Sequence, residues 1–231
     1  MMSRKLGLGV LAGALLWLSG CASSGPVDNP VGSVLTWFSY VGGEDIRDAC
    51  HPGAPEMWRF VYNGDYQEQV RAYDLTVLHS GGARLQIRVT GPRNILAVNA
   101  LNPFQPWEAK RQDVWLSPAQ MAALRDALHR SGFDNPAPRG TFLRSDGYYW
   151  AVSACQGGRF HFNAWTAPDQ PVAALPFVPV LLSHDHSTLA YNLPAHVVLG
   201  PFGGGGDPTQ PKKQFRLQVG TNGLILGPTF R

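Results

Sequence analysis

The sequence predicts an α+β domain with a mainly antiparallel β-sheet. Three observations lead there. Several short segments alternate apolar and polar residues, Gly, Asn and Pro signals separate them at hairpin distances, and a single segment carries a full set of helix-boundary signals. The chain has 231 residues, 44% of them apolar and 15% charged, a balance that excludes a disordered chain. Its 26 Gly and 19 Pro show no triplet period, which excludes a collagen-like rod.

Taken in order, residues 34–41 (VLTWFSYV) are β-branched and aromatic and read as a strand. Residues 44–56 are polar with Gly and Pro, a loop that carries Cys50. In residues 57–62 the aromatics Trp58, Phe60 and Tyr62 fall on one face of a strand. Asn63-Gly64 then signals a type I′ hairpin turn, making residues 67–78 the return strand. Residues 83–90 place Leu85, Ile87 and Val89 opposite Gln86, Arg88 and Thr90, one dry face and one wet. A further strand is expected over 95–101.

The helix spans about 117–131. Ser117-Pro118-Ala119-Gln120 forms a capping box with Pro at the first helical position, and Gly132 supplies the stop. Met121, Leu124, Ala127 and Leu128 make its apolar stripe, and Phe133 is placed to pack back on it. Residues 148–155 and 159–165 form a hairpin about Gln156-Gly157-Gly158, with Cys155 ending the first strand. A second, short helix over about 171–183 is interrupted by Pro176 and Pro179. Residues 200–214 are a Gly/Pro-rich loop, and 215–231 a terminal hairpin about Thr221-Asn222-Gly223.

The N-terminus reads as an address. Arg4 and Lys5 precede an uninterrupted apolar stretch over 6–18, which spans roughly 20 Å as a helix, short of the roughly 30 Å hydrocarbon core. A basic start, a short apolar run and small residues after it describe a secretory signal. Leu18-Ser19-Gly20-Cys21 closely resembles the lipobox of bacterial lipoproteins. That resemblance implies a diacylglycerol thioether on Cys21, cleavage before it and acylation of the new amine. It makes 1–20 the signal peptide and 21–32 a lipidated flexible tether, with the globular α+β domain over 33–199. Ala22 stands where Asp typically holds such proteins at the inner membrane, so the analogy favours the outer membrane, facing the periplasm. The bilayer, reached through acylated Cys21, is then the first partner, and envelope proteins are further candidates.

Removing Arg4 and Lys5 with the leader leaves 17 basic against 16 acidic residues, without the excess a nucleic-acid binder carries. With Cys21 lipidated, Cys50 and Cys155 remain, an even number in an oxidising compartment. The expectation is a Cys50–Cys155 disulfide; the competing readings are two buried thiols and a catalytic Cys50 beside His51.

Two further resemblances concern the folded part. From Asp113 to Asp185, the capped helix ending in Ser131-Gly132-Phe133, then Asp146-Gly147-Tyr148, a hairpin and a Pro-broken apolar segment resemble emfourin-type domains. That family is linked to inhibition of thermolysin-like proteases, but no inhibitory residue carries over. Cys50-His51-Pro52-Gly53 followed by Arg59-Phe60-Val61-Tyr62-Asn63 resembles segments of uncharacterised proteobacterial lipoproteins, which implies no activity.

The sequence lacks G-x-S-x-G, G-x-x-x-x-G-K-[ST], H-E-x-x-H and C-x-x-C, which weighs against an enzyme without excluding one. The strongest metal candidate is His184-Asp185-His186: on a strand its two imidazoles would share a side and could take His161 as third ligand. On a helix end they would instead be solvated and favoured by the dipole. The Gly203–Gly206 run reads as a connector, because no strand precedes it and no helix follows. Trp58, Phe60 and Tyr62 are candidates for a ligand groove, and Trp107 and Trp115 flank a basic pair, Lys110-Arg111. No cofactor is expected. The functional expectation is a lipid-anchored, non-catalytic binding or structural module of the envelope; the alternatives are a metal-assisted hydrolase using His184, His186 and His161, and an emfourin-like protease inhibitor.

Overall fold

Strand pairing organises the molecule around one large antiparallel sheet. The computed structural model describes residues 37–66, 68–91, 110–194 and 215–230. Its strands are β1 (Met57–Gly64), β2 (Val70–Val77), β3 (Ala83–Thr90), β4 (Lys110–Leu116), β5 (Phe142–Arg144), β6 (Tyr148–Gln156), β7 (Arg159–Thr166), β8 (Phe215–Val219) and β9 (Leu224–Phe230). The helices are α1 (Glu44–Ala49), α2 (Pro118–Arg130) and α3 (Phe177–Leu182). Six strands form the main sheet in the order β4-β3-β2-β1-β6-β7, and β5-β8-β9 form a second sheet. The α+β class with a mainly antiparallel sheet is therefore the observed one. Among the described residues no helix is long and apolar enough to cross a membrane.

The main sheet is covered on one face by helices and, on the other, by the second sheet and the helical residues 37–49 over β1, β6 and β7. On one face Trp58, Phe60, Tyr62, Tyr73, Leu85, Ile87, Trp150 and Trp165 pack under α2 and α3. Trp150 is its centre, 4.9 Å from the Tyr62 ring and edge-on to Phe177 at 5.2 Å. Burying a ring of that size contributes at most about 4–6 kcal/mol of transfer free energy. On the other face Val61, Tyr149, Ala151, Phe162 and Ala164 meet Leu143, Phe215, Leu217 and Val219 of the second sheet, together with Trp37 and Val41. The terminal hairpin is thus built into the core through β5.

Local chemistry accounts for most boundaries. Ser117 Oγ accepts from the Gln120 N–H while Gln120 Oε1 accepts from the Ser117 N–H, closing the capping box of α2. Gly132 ends that helix at φ 76°, a left-handed conformation that costs glycine little. Gly157 and Gly158, at φ 56° and 74°, make the two-residue turn between β6 and β7. A β-carbon on Gly158 would lie 2.5 Å from the Pro52 nitrogen, so the turn also lets the Cys50 loop approach.

Four expectations are corrected. The loop expected over 44–56 begins as a helix, α1, which buries Ile46 and presents Asp45 to Arg59; only the residues after Ala49, Cys50 among them, are irregular. Residues 37–42, expected to be extended, are helical. The helix puts Trp37, Tyr40 and Val41 on one side, where Trp37 and Val41 bury against the sheet; packing outweighs their β propensity. Asn63-Gly64 is not a turn, because β1 continues through both residues paired with Tyr149 and Tyr148. Asn63 Nδ2 donates instead to the carbonyls of Ser145 and Gly147, and the reversal falls after Asp65, at φ 59°. The second helix occupies only 177–182 of the expected 171–183. Pro176 sits at its N-cap and Pro179 in its first turn, where a missing N–H costs no intrahelical bond. The strand expected over 95–101 and the loop over 200–214 lie outside the described residues.

Candidate functional site

The disulfide expected from cysteine parity is present: Cys50, just after α1, is joined to Cys155 near the end of β6, with Cα atoms 5.5 Å apart and a sequence separation of 105. It excludes the free-thiol and catalytic readings of Cys50.

The three candidate metal ligands are not brought together. His161 lies on edge strand β7, where its Nε2 donates to the Phe133 carbonyl at 2.6 Å. His184 and His186 follow α3, and the His186 N–H donates to Gln112 Oε1 on β4, the opposite edge strand. Five strand spacings, roughly 24 Å, separate the two edges, far beyond any shared coordination sphere. Among the described residues no group of three metal-binding side chains converges. His184 has its pKa lowered, by burial and then by the neighbouring His186, which disfavours the imidazolium. The proposed aromatic groove is corrected as well: Trp58, Phe60 and Tyr62 are core residues, 3%, 0% and 0% exposed.

Two polar constellations replace them, and sequence reading identified neither. The first lies on the helix-covered face. Arg71 pairs with Tyr62 across the β1–β2 ladder and so points into the core. Its Nη1 meets Asp185 Oδ2 at 2.5 Å, with side-chain exposures of 3% and 2%. Tyr73 Oη donates to the same oxygen at 2.7 Å, and the Ser187 N–H caps Oδ1 at 2.8 Å. The remaining Arg71 donors reach Gln69 Oε1, Ser187 Oγ and the Leu189 carbonyl. Burial pushes the Asp185 carboxyl up, but the hydrogen bonds from Tyr73 and Ser187 and the Arg71 charge outweigh it and hold it below the usual carboxylate range. Burial, reinforced by Asp185, raises the Tyr73 phenol well above its ordinary value.

The same cluster fastens the irregular segment after α3. Gln69 Nε2 donates to the Ala190 carbonyl, Gln69 Oε1 accepts from the Asn192 N–H, and Tyr62 Oη donates to the Asn192 carbonyl. A segment with no ladder needs such side-chain partners for its backbone. The strong donors and acceptors of this arrangement are engaged within the fold.

The second constellation lies on the opposite face. Arg59 bonds Asp45 through both terminal nitrogens and Asp74 through Nε at 2.6 Å, and stacks on the Tyr40 ring at 3.8 Å. Arg88 completes the group, bonding Asp74 and Tyr40 Oη. Burial and then Asp74 raise the Tyr40 phenol above its ordinary range. From this group outward, over β2, β3 and β4, the sheet surface is polar. In register it carries Asp74 and Thr76, then Arg88, Gln86 and Arg84, then Arg111, Asp113 and Trp115. Arg84 pairs with Asp113 at 2.9 Å, and Trp115 is 65% exposed. Of the basic pair singled out with its flanking aromatics, Arg111 lies on this surface, while Trp107 lies outside the described residues.

The sequence held faint signals for the first of them. An Arg at the period-two position of Tyr73 and Leu75 points to an internal partner, and Asp-x-Ser at 185–187 is an Asx-turn pattern. No family model matches this chain, and a search of curated proteins finds no match.

Proposed function

We propose that this chain is an envelope lipoprotein, anchored to the outer membrane through acylated Cys21, whose globular part faces the periplasm as a non-catalytic binding or structural module. The lipobox residues Leu18-Ser19-Gly20-Cys21 carry the anchor. The observation that carries the compartment is the Cys50–Cys155 bond, since structural disulfides persist in oxidising compartments. Two or three acyl chains hold a protein durably where one holds it only marginally. A module confined to the membrane surface works by raising its concentration toward partners in that layer. The non-catalytic reading is supported by the two polar clusters, whose groups, Arg88 Nε aside, are bonded to one another and to the backbone. The emfourin-like pattern over 113–185 consists of scaffold features, namely the α2 cap, Gly132 and the β6–β7 hairpin, and favours the fold over an inhibitory surface.

Labelling cells with radioactive palmitate tests the reading. Label should enter the wild-type chain and not Cys21→Ala, and the labelled chain should sediment with outer membranes. Absence of label, or a cytosolic chain retaining its leader, refutes it. Crosslinking in intact cells with mass spectrometry, using Cys21→Ala as the unanchored control, then identifies the partner.

A further inference from the structure

We infer that the open face of β2, β3 and β4 docks on the anionic phospholipid headgroups of the bilayer that holds the chain; this rests on the anchoring through Cys21 proposed above. The second sheet and the helical residues 37–49 cover this side of the main sheet over β1, β6 and β7. The half over β2, β3 and β4 keeps Arg84, Arg88, Arg111 and Trp115 on its surface. An exposed Trp on edge strand β4 suits the headgroup layer, where an amphipathic ring is favoured. Charge agrees in sign. Among the described residues Asp113 is engaged by Arg84, Asp74 by both Arg59 and Arg88, and Asp45 by Arg59, while no ion pair falls on Arg111, which leaves this side a surplus of one positive charge. Each Arg near an anionic surface favours contact by about fivefold.

The anchor favours the bilayer over soluble anionic partners, because it holds the domain at the membrane surface. The described fold begins with Trp37 and Tyr40 on this side of the sheet, with Tyr40 stacked between Arg59 and Arg88 at the border of the open half. Cys21 lies 16 residues before Trp37, so the anchor is at most about 55 Å away along the chain. A span of that length keeps the domain within reach of the membrane surface at all times.

The test uses the acylated full chain reconstituted in vesicles. With Cys21 acylated and Cys50 joined to Cys155, a cysteine introduced by Thr76→Cys is the sole thiol; Ala123→Cys, exposed on α2 in the opposite layer, is the control. Each is labelled with a fluorophore and read by quenching from headgroup-spin-labelled lipid. In phosphatidylglycerol-rich vesicles quenching should be several-fold stronger at 76 than at 123. That excess should fall about fivefold for Arg111→Ala and in purely zwitterionic vesicles. Equal quenching at both positions, or an excess unchanged by lipid charge, overturns the docking face while leaving the anchor intact. Capture of soluble anionic glycan by the face, without lipid contact, overturns it too. A chain that fails to float with vesicles refutes the anchor itself.

Discussion

Replacing Asp185 by Asn removes one charge from the most buried ion pair among the described residues and almost no volume. Arg71 and Asp185 side chains are 3% and 2% exposed, so the guanidinium cannot turn to water without opening the segment after α3. Removing one partner of such a pair costs about 3–5 kcal/mol, because the survivor is left as an uncompensated buried charge. For a domain of this size that lowers Tm by about 6–20 °C. The amide also offers hydrogens where Arg71 and Tyr73 present donors. The dependence on pH has a definite sign. The native Asp185 pKa is depressed, so the pair's contribution is full above the unfolded-state value near 3.9. It fades as pH falls from there toward the native value, and below that it is gone. Urea unfolding of the oxidised wild type and Asp185→Asn should therefore differ by about 3–5 kcal/mol at pH 7 and converge in acid. Hydrogen exchange should show the Ser187 and Asn192 amides losing protection first. The double variant Arg71→Met/Asp185→Leu should recover part of the loss, the remainder reflecting the Gln69 and Leu189 acceptors left without Arg71. A difference below about 1 kcal/mol at pH 7, or one that persists unchanged in acid, would refute the reasoning.

Other perturbations have equally definite outcomes. Cys50→Ala/Cys155→Ala should lower stability by about 2–5 kcal/mol by denaturant titration, with wild type moving to the variant's midpoint once reduced. Asn222→Ala should cost about 1–3 kcal/mol: its amide pairs with the Phe162 N–H at 2.7 Å and the Phe160 carbonyl at 3.0 Å on the outer edge of β7, and hydrogen exchange should localise the loss to Phe162. Ser117→Ala should cost about 1 kcal/mol by thermal melting, because Gln120 then loses its acceptor in the first turn of α2. Gly132→Ala should cost about 1–2 kcal/mol in the same assay, since alanine is strained at φ 76°.

Elements whose specification is local were legible. The capping box of α2, the Gly157-Gly158 turn and the alternation of β3 need only neighbours along the chain, and all were found where the sequence put them. The errors share one cause. Residues 34–41 carry a strand composition, yet 37–42 are helical because that conformation buries Trp37 and Val41 against a sheet formed far downstream. Asn63-Gly64 carries the residues of a hairpin turn, yet β6 binds that stretch and extends the strand. The candidate site failed in the same way. His161, His184 and His186 were grouped by residue type, and strand order sent them to opposite edges of the sheet. Asp185, between two of them, was the residue with a buried partner.

What the chain alone determined is therefore its class of fold, the cap and stop of α2, the Gly157-Gly158 turn and the pairing of Cys50 with Cys155, because propensity, capping and parity act over short range or by elimination. Which aromatics became core, which arginines were neutralised inside and which stayed on an open face was decided only when strands distant in sequence paired. Register sets the side to which every side chain points, and no local signal carries that information.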